Sequence, residues 1–279
     1  MSTVAPKVHV RLAPAAGWLA LDLAELWRYR DLLVMLAGRD LKVRYKQTAL
    51  GVSWVLFQPL VAAGIFSFVF ANVARFEAPG GVPYFVFTFV GLLAWNVFSG
   101  AVTKANNSLV NNEHLVSKIY FPRLILPLSV LLTTLIDFAV TLGIALALLV
   151  TTWHLPGANV LLLPVALLLL LIMALGLGFI ASAFTVSYRD VRYLLPVVVQ
   201  LLLFASPVAY AVTQVPEAYR RLYFLNPLVA LLETFRYALL GVGGVPWGWL
   251  GYSAAVAVAV FVGGAIVFQR MERTFADVI

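Results

Sequence analysis

The sequence predicts an all-α polytopic membrane protein with six transmembrane helices and both termini in the cytoplasm. Of its 279 residues, 63% are hydrophobic and only 11% are charged, whereas soluble domains are about 45–50% apolar and about 25% charged. Six long apolar runs follow a charged N-terminal stretch. Because backbone polar groups in lipid must be satisfied internally, each run is predicted to be a helix. A water-soluble domain is excluded, because it could not bury so much apolar surface.

The chain divides into two parts. Residues 1–49 are predicted to be a cytoplasmic N-terminus with an interfacial helix, and residues 50–279 to form one transmembrane domain. The predicted spans are 51–71, 84–102, 124–152, 160–186, 194–212 and 249–268. Crossing the roughly 30 Å hydrocarbon core takes about 20 apolar residues. The third and fourth spans exceed that length, so they are expected to tilt or protrude.

Basic residues set the predicted orientation. Of the 19 lysines and arginines, fifteen fall in segments that this topology places on one side, and four fall on the other. Basic residues collect in cytoplasmic loops, so the side with fifteen is predicted to be cytoplasmic. The net charge of +7 therefore reflects topology and does not indicate nucleic-acid binding. The absence of cysteine excludes disulfides and thiolate metal sites.

Residues 18–46 precede the first span and place leucines at helical spacing between basic residues. This pattern is typical of a helix that lies in the membrane interface. The residues expected to hold it there are Trp27, Arg39, Lys42 and Arg44. The alternative is a solvated lead-in to the first span. Any break in this helix is expected at Gly38.

A short helix is predicted over 113–121, in the loop between spans two and three. Its apolar residues are Leu115, Val116, Ile119, Tyr120 and Phe121. Pro122 ends the helix, because proline disfavours the helical conformation in the residue before it. This is more apolar surface than a cytoplasmic connector requires. Two interpretations stay open: the helix docks on a soluble partner, or it packs beneath its own bundle.

The external loop at 213–248 is predicted to form two short helices. Asn226-Pro227 is a typical helix start and Gly241 a typical stop, so the second helix covers 227–240. It is too short to cross the bilayer. Glu233 and Arg236 stand three residues apart and can pair. We expect a re-entrant hairpin on which this pair faces a wet passage.

Several motifs are weighed against ordinary structural roles. Gly176-x-Gly178-x-x-Ala181 matches a dinucleotide-binding string, but it lies in an apolar run and is interpreted as a small-residue face for helix packing. No P-loop motif occurs, and the three histidines lie far apart in sequence. Asp137 is the one carboxylate clearly inside a span, and hydrogen bonds to nearby threonines are its expected partners. Neither a catalytic residue nor a metal site is predicted.

Aromatic and amide residues share helix faces in several spans. The candidate passage-lining residues are Trp54, Gln58, Phe68, Trp95, Phe98, Gln200, Phe204 and Tyr210. Such faces suit a passage for sugars, because sugar rings stack on aromatic rings and sugar hydroxyls bond to amides. Ordinary packing within the bundle is the alternative.

The order of these features resembles the permease subunits of ABC-2-type polysaccharide exporters, especially the O-antigen and teichoic-acid branch. The resemblance covers the chain from about residue 28 onward. It rests on the strings Arg39–Lys46 with Leu50-Gly51, Lys118–Arg123 with Pro127, Tyr188–Val191, Ser206–Tyr210, and Asn226-Pro227 with Glu233 and Arg236. No single string is decisive, but their order and spacing together are specific.

The resemblance implies a homodimer in the bacterial inner membrane, driven by two copies of a separate P-loop ABC ATPase that holds the ATP and Mg. Its substrate would be a polyprenyl-pyrophosphate-linked glycan, whose pyrophosphate enters near the interfacial helix. The implied ATPase-coupling residues are Glu113, Leu115, Val116, Lys118, Tyr120, Phe121, Pro122 and Arg123, with Arg189 and Asp190 in a second contact. The implied gate helices are 216–224 and 227–240, with gate residues Asn226, Pro227, Glu233 and Arg236.

Other functions are open or disfavoured at this point. O-antigen, capsular polysaccharide and teichoic acid are all candidate cargoes. A drug or small-lipid ABC-2 exporter is mildly disfavoured by the aromatic-rich spans and the Lys118–Arg123 string. A membrane glycosyl- or acyltransferase would need clustered acids or histidines at one membrane face. A proton-coupled transporter would need more than one intramembrane charge.

Overall fold

The structure, a computed structural model, describes residues 23–46, 53–273 and 275. Every regular element within these residues is helical. The α-helices are α1 (Leu23–Arg28), α2 (Arg30–Lys46), α3 (Ser53–Ser67), α4 (Tyr84–Ser108), α5 (Glu113–Lys118), α6 (Ile125–Thr151), α7 (Leu163–Ser187), α8 (Val191–Phe204), α9 (Glu217–Tyr223), α10 (Pro227–Leu240) and α11 (Trp247–Glu272). A π-helical stretch, Phe68–Val73, extends α3.

Four helices in the described part of the chain are long and apolar enough to cross a membrane: α4, α6, α7 and α11. They lie where spans two, three, four and six are predicted. Two shorter apolar helices, α3 with its π-helical extension and α8, lie at predicted spans one and five. The first residues of predicted span one fall outside the described residues.

The predicted C-terminal end of span five is wrong. The sequence predicts it over 194–212, but α8 ends at Phe204 and residues 205–211 form a turn. Pro207 lies in this turn, and proline disfavours the helical conformation in the residue before it, here Ser206. Tyr210 therefore lies in the turn and not on a spanning helix.

The N-terminal segment breaks at a different residue from the predicted one. The break is at Tyr29, between α1 and α2, and Gly38 lies inside the continuous helix α2. Leu36 and Ala37 are buried, and α2 packs on α6. Trp27 and Lys42 are exposed. The start of the predicted interfacial helix and the side chain of Arg44 lie outside what the structure describes.

α4 forms the centre of the bundle, in contact with α3, α6, α7 and α10. Its side chains are buried along most of its length, including Phe87, Phe89 and Phe98. A second apolar cluster closes the predicted cytoplasmic end and joins α2, residues 109–126, α7 and α11. This cluster fixes the position of the loop that contains α5.

The small-residue face on α7 packs against its neighbours as predicted. A Cβ atom on Gly176 would lie 2.6 Å from the backbone of Phe261, and one on Gly178 would lie 2.6 Å from Ala105 Cβ. On α11, a Cβ on Gly264 would lie 2.3 Å from the Gly176 carbonyl oxygen. The backbones of α7 and α11 therefore approach so closely that only glycine fits at their crossing.

Replacing Gly264 with alanine is expected to separate α7 from α11, because the new methyl group would overlap the Gly176 carbonyl oxygen. Overpacking of this kind costs about 1–3 kcal/mol. Gly263→Ala is the matched control, since no atom lies within 4 Å of a Cβ at that position. The measurement is the thermal unfolding midpoint in detergent. Equal midpoints for the two variants would contradict the close crossing.

Candidate coupling surface and transport path

The predicted docking helix is shorter than expected. α5 ends at Lys118, and Ile119 is extended with φ −129° and ψ 134°. The predicted end at Phe121 is therefore wrong by three residues. The extended backbone at Ile119 turns the residues that follow away from the helix axis.

The apolar side chains of this loop divide between two environments. Val116 and Phe121 are only 4% and 5% exposed and pack in the cluster at the predicted cytoplasmic end. Ile119 and Tyr120 are 57% and 67% exposed. Glu113 and Lys118 are also exposed, while Leu115, Pro122 and Arg123 are half-buried. The loop packs beneath its own bundle through Val116 and Phe121. It also presents an apolar pair, Ile119 and Tyr120, on the surface of the predicted cytoplasmic end.

Two long-range contacts hold this loop in place. The backbone N–H of Arg123 donates to Glu272 Oε1 at 3.0 Å, and its guanidinium donates to the Glu272 carbonyl oxygen at 2.6 Å. On the other side, Arg39 of α2 donates to Asn112 Oδ1 at 2.5 Å. The apolar pair thus lies between two attachments, one to α2 and one to the end of α11.

The second predicted contact lies at the same end of the bundle. Arg189 and Asp190 are exposed in the short connection between α7 and α8. Val186, just before this connection, belongs to the same apolar cluster as Val116 and Phe121. Both predicted coupling segments therefore present exposed residues at the predicted cytoplasmic end.

The candidate passage-lining residues separate into two groups. Gln58, Phe68, Gln200 and Phe204 are exposed on α3, on its extension and on α8. Trp95 and Phe98 are only 5% and 0% exposed and pack in the core around α4. The prediction that Trp95 and Phe98 line a passage is therefore wrong, because a side chain buried in the core has no surface that a transported molecule could contact. The side chain of Trp54 lies outside the described part of the chain.

Asp137 has a partner that the sequence did not reveal. Its Oδ2 lies 2.7 Å from Lys104 Nζ, so the carboxylate forms an ion pair between α6 and α4. Of the threonines expected to contact Asp137, Thr141 donates through Oγ1 to the Asp137 backbone carbonyl oxygen. Lys104 lies in α4, which runs six residues past the predicted end of span two.

The predicted external end is held by a buried arginine. Arg236 is 2% exposed and lies 2.6 Å from Glu233 Oε1. Its Nη2 donates to the carbonyl oxygens of Pro207 and Val208 at 2.6 and 3.1 Å. Its guanidinium lies 4.0 Å from the centroid of the Phe87 ring. We call this arrangement the outer pin, because it fastens the 205–211 turn to α10 and α4.

The outer pin corrects the expectation that Glu233 and Arg236 face a wet passage. Arg236 is enclosed within the chain, and Glu233 is only 18% exposed. The turn approaches so closely that a Cβ on Gly91 would lie 2.1 Å from the Val208 carbonyl oxygen. The carboxylate and the two carbonyls partner both terminal nitrogens of the buried guanidinium, and losing either partner of such a buried ion pair is strongly destabilising.

The start of α10 agrees with the prediction from sequence. Asn226 Oδ1 accepts from the backbone N–H of Leu228, Pro227 occupies the first helical position, and Gly241 ends the helix with φ +67°. Asn226 also donates to the Ala205 carbonyl oxygen and to Ser206 Oγ, both at 3.0 Å. The predicted gate residue Asn226 is therefore a second attachment of the same turn.

Tyrosine hydroxyls make further hydrogen bonds around the 205–211 turn. The hydroxyls of Tyr210 and Tyr223 lie 2.8 Å apart, and Tyr84 donates to the Ala209 carbonyl oxygen at 2.7 Å. Burial raises the pKa of Tyr223 on α9, and the hydrogen bond with Tyr210 raises it further. Tyr223 is therefore neutral near pH 7 and acts as a hydrogen-bonding group.

Sequence reasoning missed Asn112, Glu272, Lys104 and Gly91. Asn112 pairs with Arg39 over 73 residues, and Glu272 pairs with Arg123 over 149 residues. No local pattern signals contacts at such separations. For Lys104, the signal was its position only two residues past the predicted end of span two, within reach of a neighbouring span. Within the described residues, no group of three or more histidine, aspartate or glutamate side chains could hold a metal ion.

Comparison with known proteins identifies the family. Residues 31–240 match the family model of the ABC-2 type transporter. The chain is 32% identical over 256 residues to the O-antigen export system permease protein RfbA of Myxococcus xanthus, covering 91% of this chain and 97% of that protein. It is 27% identical over 250 residues to RfbA of Klebsiella pneumoniae, covering 89% and 95%.

A more distant relative is named for a different cargo. The polysialic acid transport protein KpsM of Escherichia coli is 24% identical over 245 residues, covering 84% of this chain and 91% of that protein. All three relatives align with most of this chain. Because the family match also spans more than half of the sequence, the chain belongs to the ABC-2 type transporter family as a membrane permease.

Proposed function

We propose that this chain is the permease subunit of an ATP-driven transporter that exports a lipid-linked polysaccharide of the O-antigen type across the bacterial inner membrane. The observation that carries the proposal is the exposed apolar pair Ile119–Tyr120 on a loop fixed at both sides. Relatives that are O-antigen export permeases support the same cargo. ATP hydrolysis belongs to a separate P-loop ATPase subunit.

The attachments of the loop explain how a partner could move the permease. A partner that pushes on Ile119 and Tyr120 also pushes, through Arg123 and Glu272, on the end of α11. At its other end, Trp249 of α11 stacks on Phe224, with ring centroids 5.4 Å apart, at the junction of α9 and α10. α11 thus provides a continuous mechanical connection between the coupling loop and the predicted external helices.

The exposed faces of α3 and α8 support a passage between two copies of the chain. Each face combines an amide with an aromatic residue: Gln58 and Phe68 on one, Gln200 and Phe204 on the other. Sugar hydroxyls bond to amides and sugar rings stack on aromatic rings, so such faces suit a glycan. We propose a homodimer in which these faces line the path, served by two ATPase subunits.

A capsular polysaccharide is the second candidate cargo, favoured by the similarity to KpsM. A teichoic acid, or less favourably a drug or small lipid, would use the same machinery.

Depletion of the chain in its native cell tests the proposed cargo. We expect a polyprenyl-linked glycan to accumulate on the inner face of the membrane, while the same glycan disappears from the cell surface. Lipid extraction followed by glycan analysis measures both pools. An unchanged surface glycan, with no lipid-linked glycan accumulating, would contradict the proposal.

A further inference from the structure

The segment that carries the exposed pair Ile119 and Tyr120 has little local structure to hold its shape. α5, just before the pair, has only six residues. Isolated helices shorter than about 12–15 residues are marginally stable in water. After α5 the backbone is extended at Ile119, and both side chains of the pair are more than half exposed. The position of the pair must therefore be set by contacts with other parts of the chain.

The end of α11 supplies hydrogen bonds on the C-terminal side of the pair. The backbone nitrogen of Arg123 lies 3.0 Å from Glu272 Oε1, and Arg123 Nη1 lies 2.6 Å from the Glu272 carbonyl oxygen. Both residues are half-buried. Hydrogen bonds in which the donor or the acceptor is ionised are roughly twice as strong as neutral ones. Two donors of Arg123 are therefore engaged within its own chain.

An aromatic side chain just after α11 contacts the same arginine. Phe275 is fully buried, and its ring lies edge-on to that of Phe268, with centroids 5.4 Å apart. The guanidinium carbon of Arg123 lies 5.9 Å from the centroid of the Phe275 ring, within the range of a cation–π interaction. Phe275 also packs in the apolar cluster that contains Val116 and Phe121. The end of α11 thus holds the loop through both polar and apolar contacts.

We propose that Glu272 and Phe275 form a C-terminal clamp, which holds Arg123 and so keeps the Ile119–Tyr120 pair in one position before any partner binds. The consequence for a partner rests on the proposed function. An interface whose loop is already ordered binds more tightly, because ordering a mobile loop is a cost of association. Arg123, Glu272 and Phe275 are therefore positioning residues, which act on the partner through the exposed pair.

The mobility of a spin label on α5 tests the clamp in the full permease alone, in mild detergent. Since the sequence contains no cysteine, Ser117→Cys gives a single label site at an exposed position. We expect restricted motion of this label in the unmodified clamp. Glu272→Ala should make the label mobile, because the backbone N–H of Arg123 loses its acceptor. Glu272→Gln should keep the motion restricted, because an amide oxygen can accept the same hydrogen bond.

Controls separate a looser loop from a looser bundle. Arg273→Ala shortens an exposed side chain next to Glu272 and should leave the motion of the label unchanged. A label at Arg192→Cys, an exposed position on α8, should be equally restricted in Glu272→Ala and in the unmodified chain. Phe275→Ala should also make the Ser117→Cys label mobile, and if this variant does not fold, the Glu272 variants decide.

Three results would overturn the proposal. The first is unchanged motion of the α5 label in Glu272→Ala. The second is equal motion in Glu272→Ala and Glu272→Gln, because the hydrogen bond would then not be what holds the loop. The third is equal loosening of the labels on α5 and α8, because the substitution would then have weakened the whole bundle.

Partner binding separates a positioning role from direct contact. The probe is the P-loop ATPase that copurifies with the unmodified chain. Glu272→Ala is expected to weaken its binding about tenfold, while full binding is still reached at higher ATPase concentration, because Ile119 and Tyr120 remain. Glu272→Gln should bind the ATPase as the unmodified chain does. Normal affinity of Glu272→Ala despite a mobile loop would overturn the positioning role.

The label measurement needs neither ATP nor a partner subunit. If Glu272→Ala makes the loop mobile but no ATPase copurifies with the unmodified chain, the proposed function fails and the clamp stands. If the ATPase copurifies but Glu272→Ala leaves the loop restricted, only the clamp fails.

Discussion

Replacing Arg236 with methionine is expected to unfold the predicted external end of the bundle. The substitution leaves Glu233 buried without its cation and removes the donors for the Pro207 and Val208 carbonyl oxygens. Removing one partner of a buried ion pair costs about 3–5 kcal/mol. We expect little folded protein in the membrane and a much lower thermal unfolding midpoint for what can be purified.

Arg221→Met is the matched control for this prediction. Arg221 lies on α9, is exposed, and has the same side chain. Its replacement is expected to change the unfolding midpoint little, because exposed substitutions away from special features usually cost within about 0.5 kcal/mol. If Arg236→Met and Arg221→Met unfold at the same temperature as the unmodified chain, the outer pin does not stabilise the fold.

The double substitution Ile119→Ala/Tyr120→Ala is expected to abolish export without unfolding the chain. Both side chains are more than half exposed, so the fold loses little when they are shortened. Fully burying a large apolar side chain in an interface contributes about 1.5–3 kcal/mol. Losing two such side chains weakens binding of the proposed ATPase by at least about a hundredfold, at 1.4 kcal/mol per factor of ten.

The measurement is surface glycan at a verified normal level of the permease. Phe121→Ala gives the contrasting result: this side chain is buried in the chain's own core, and Phe→Ala changes in cores cost about 3–5 kcal/mol. It should lower the amount of protein instead of uncoupling it. Leu155→Ala, which shortens an exposed apolar side chain in the connection between α6 and α7, is the control and should export normally. Normal export by the double variant would remove Ile119 and Tyr120 from the coupling surface.

Helices with strong local signals could be predicted closely from sequence. α10 has the predicted bounds because Asn226, Pro227 and Gly241 each set a helix end by their own conformational preferences. The small-residue face at Gly176 could be predicted because close helix crossings require small side chains. In both cases the information lies within a few neighbouring residues.

The errors occur where distant parts of the chain decide the structure. The adjacent residues Tyr120 and Phe121 are both apolar, and only packing against α7 and α11 separates an exposed one from a buried one. The burial of Arg236 could not be predicted from the sequence near it, because the two carbonyl oxygens that accept its hydrogen bonds lie 28 and 29 residues away. The same holds for Trp95 and Phe98, because the residues around an aromatic side chain in a span do not indicate whether it packs in the core or lines a passage.

Affinity purification of the full chain in mild detergent tests the central claim most directly. If this permease is driven by a separate subunit, a P-loop ABC ATPase should copurify in a one-to-one ratio, and the Ile119→Ala/Tyr120→Ala variant should lose it. A chain that purifies without any ATPase from cells that export the glycan normally would contradict the account.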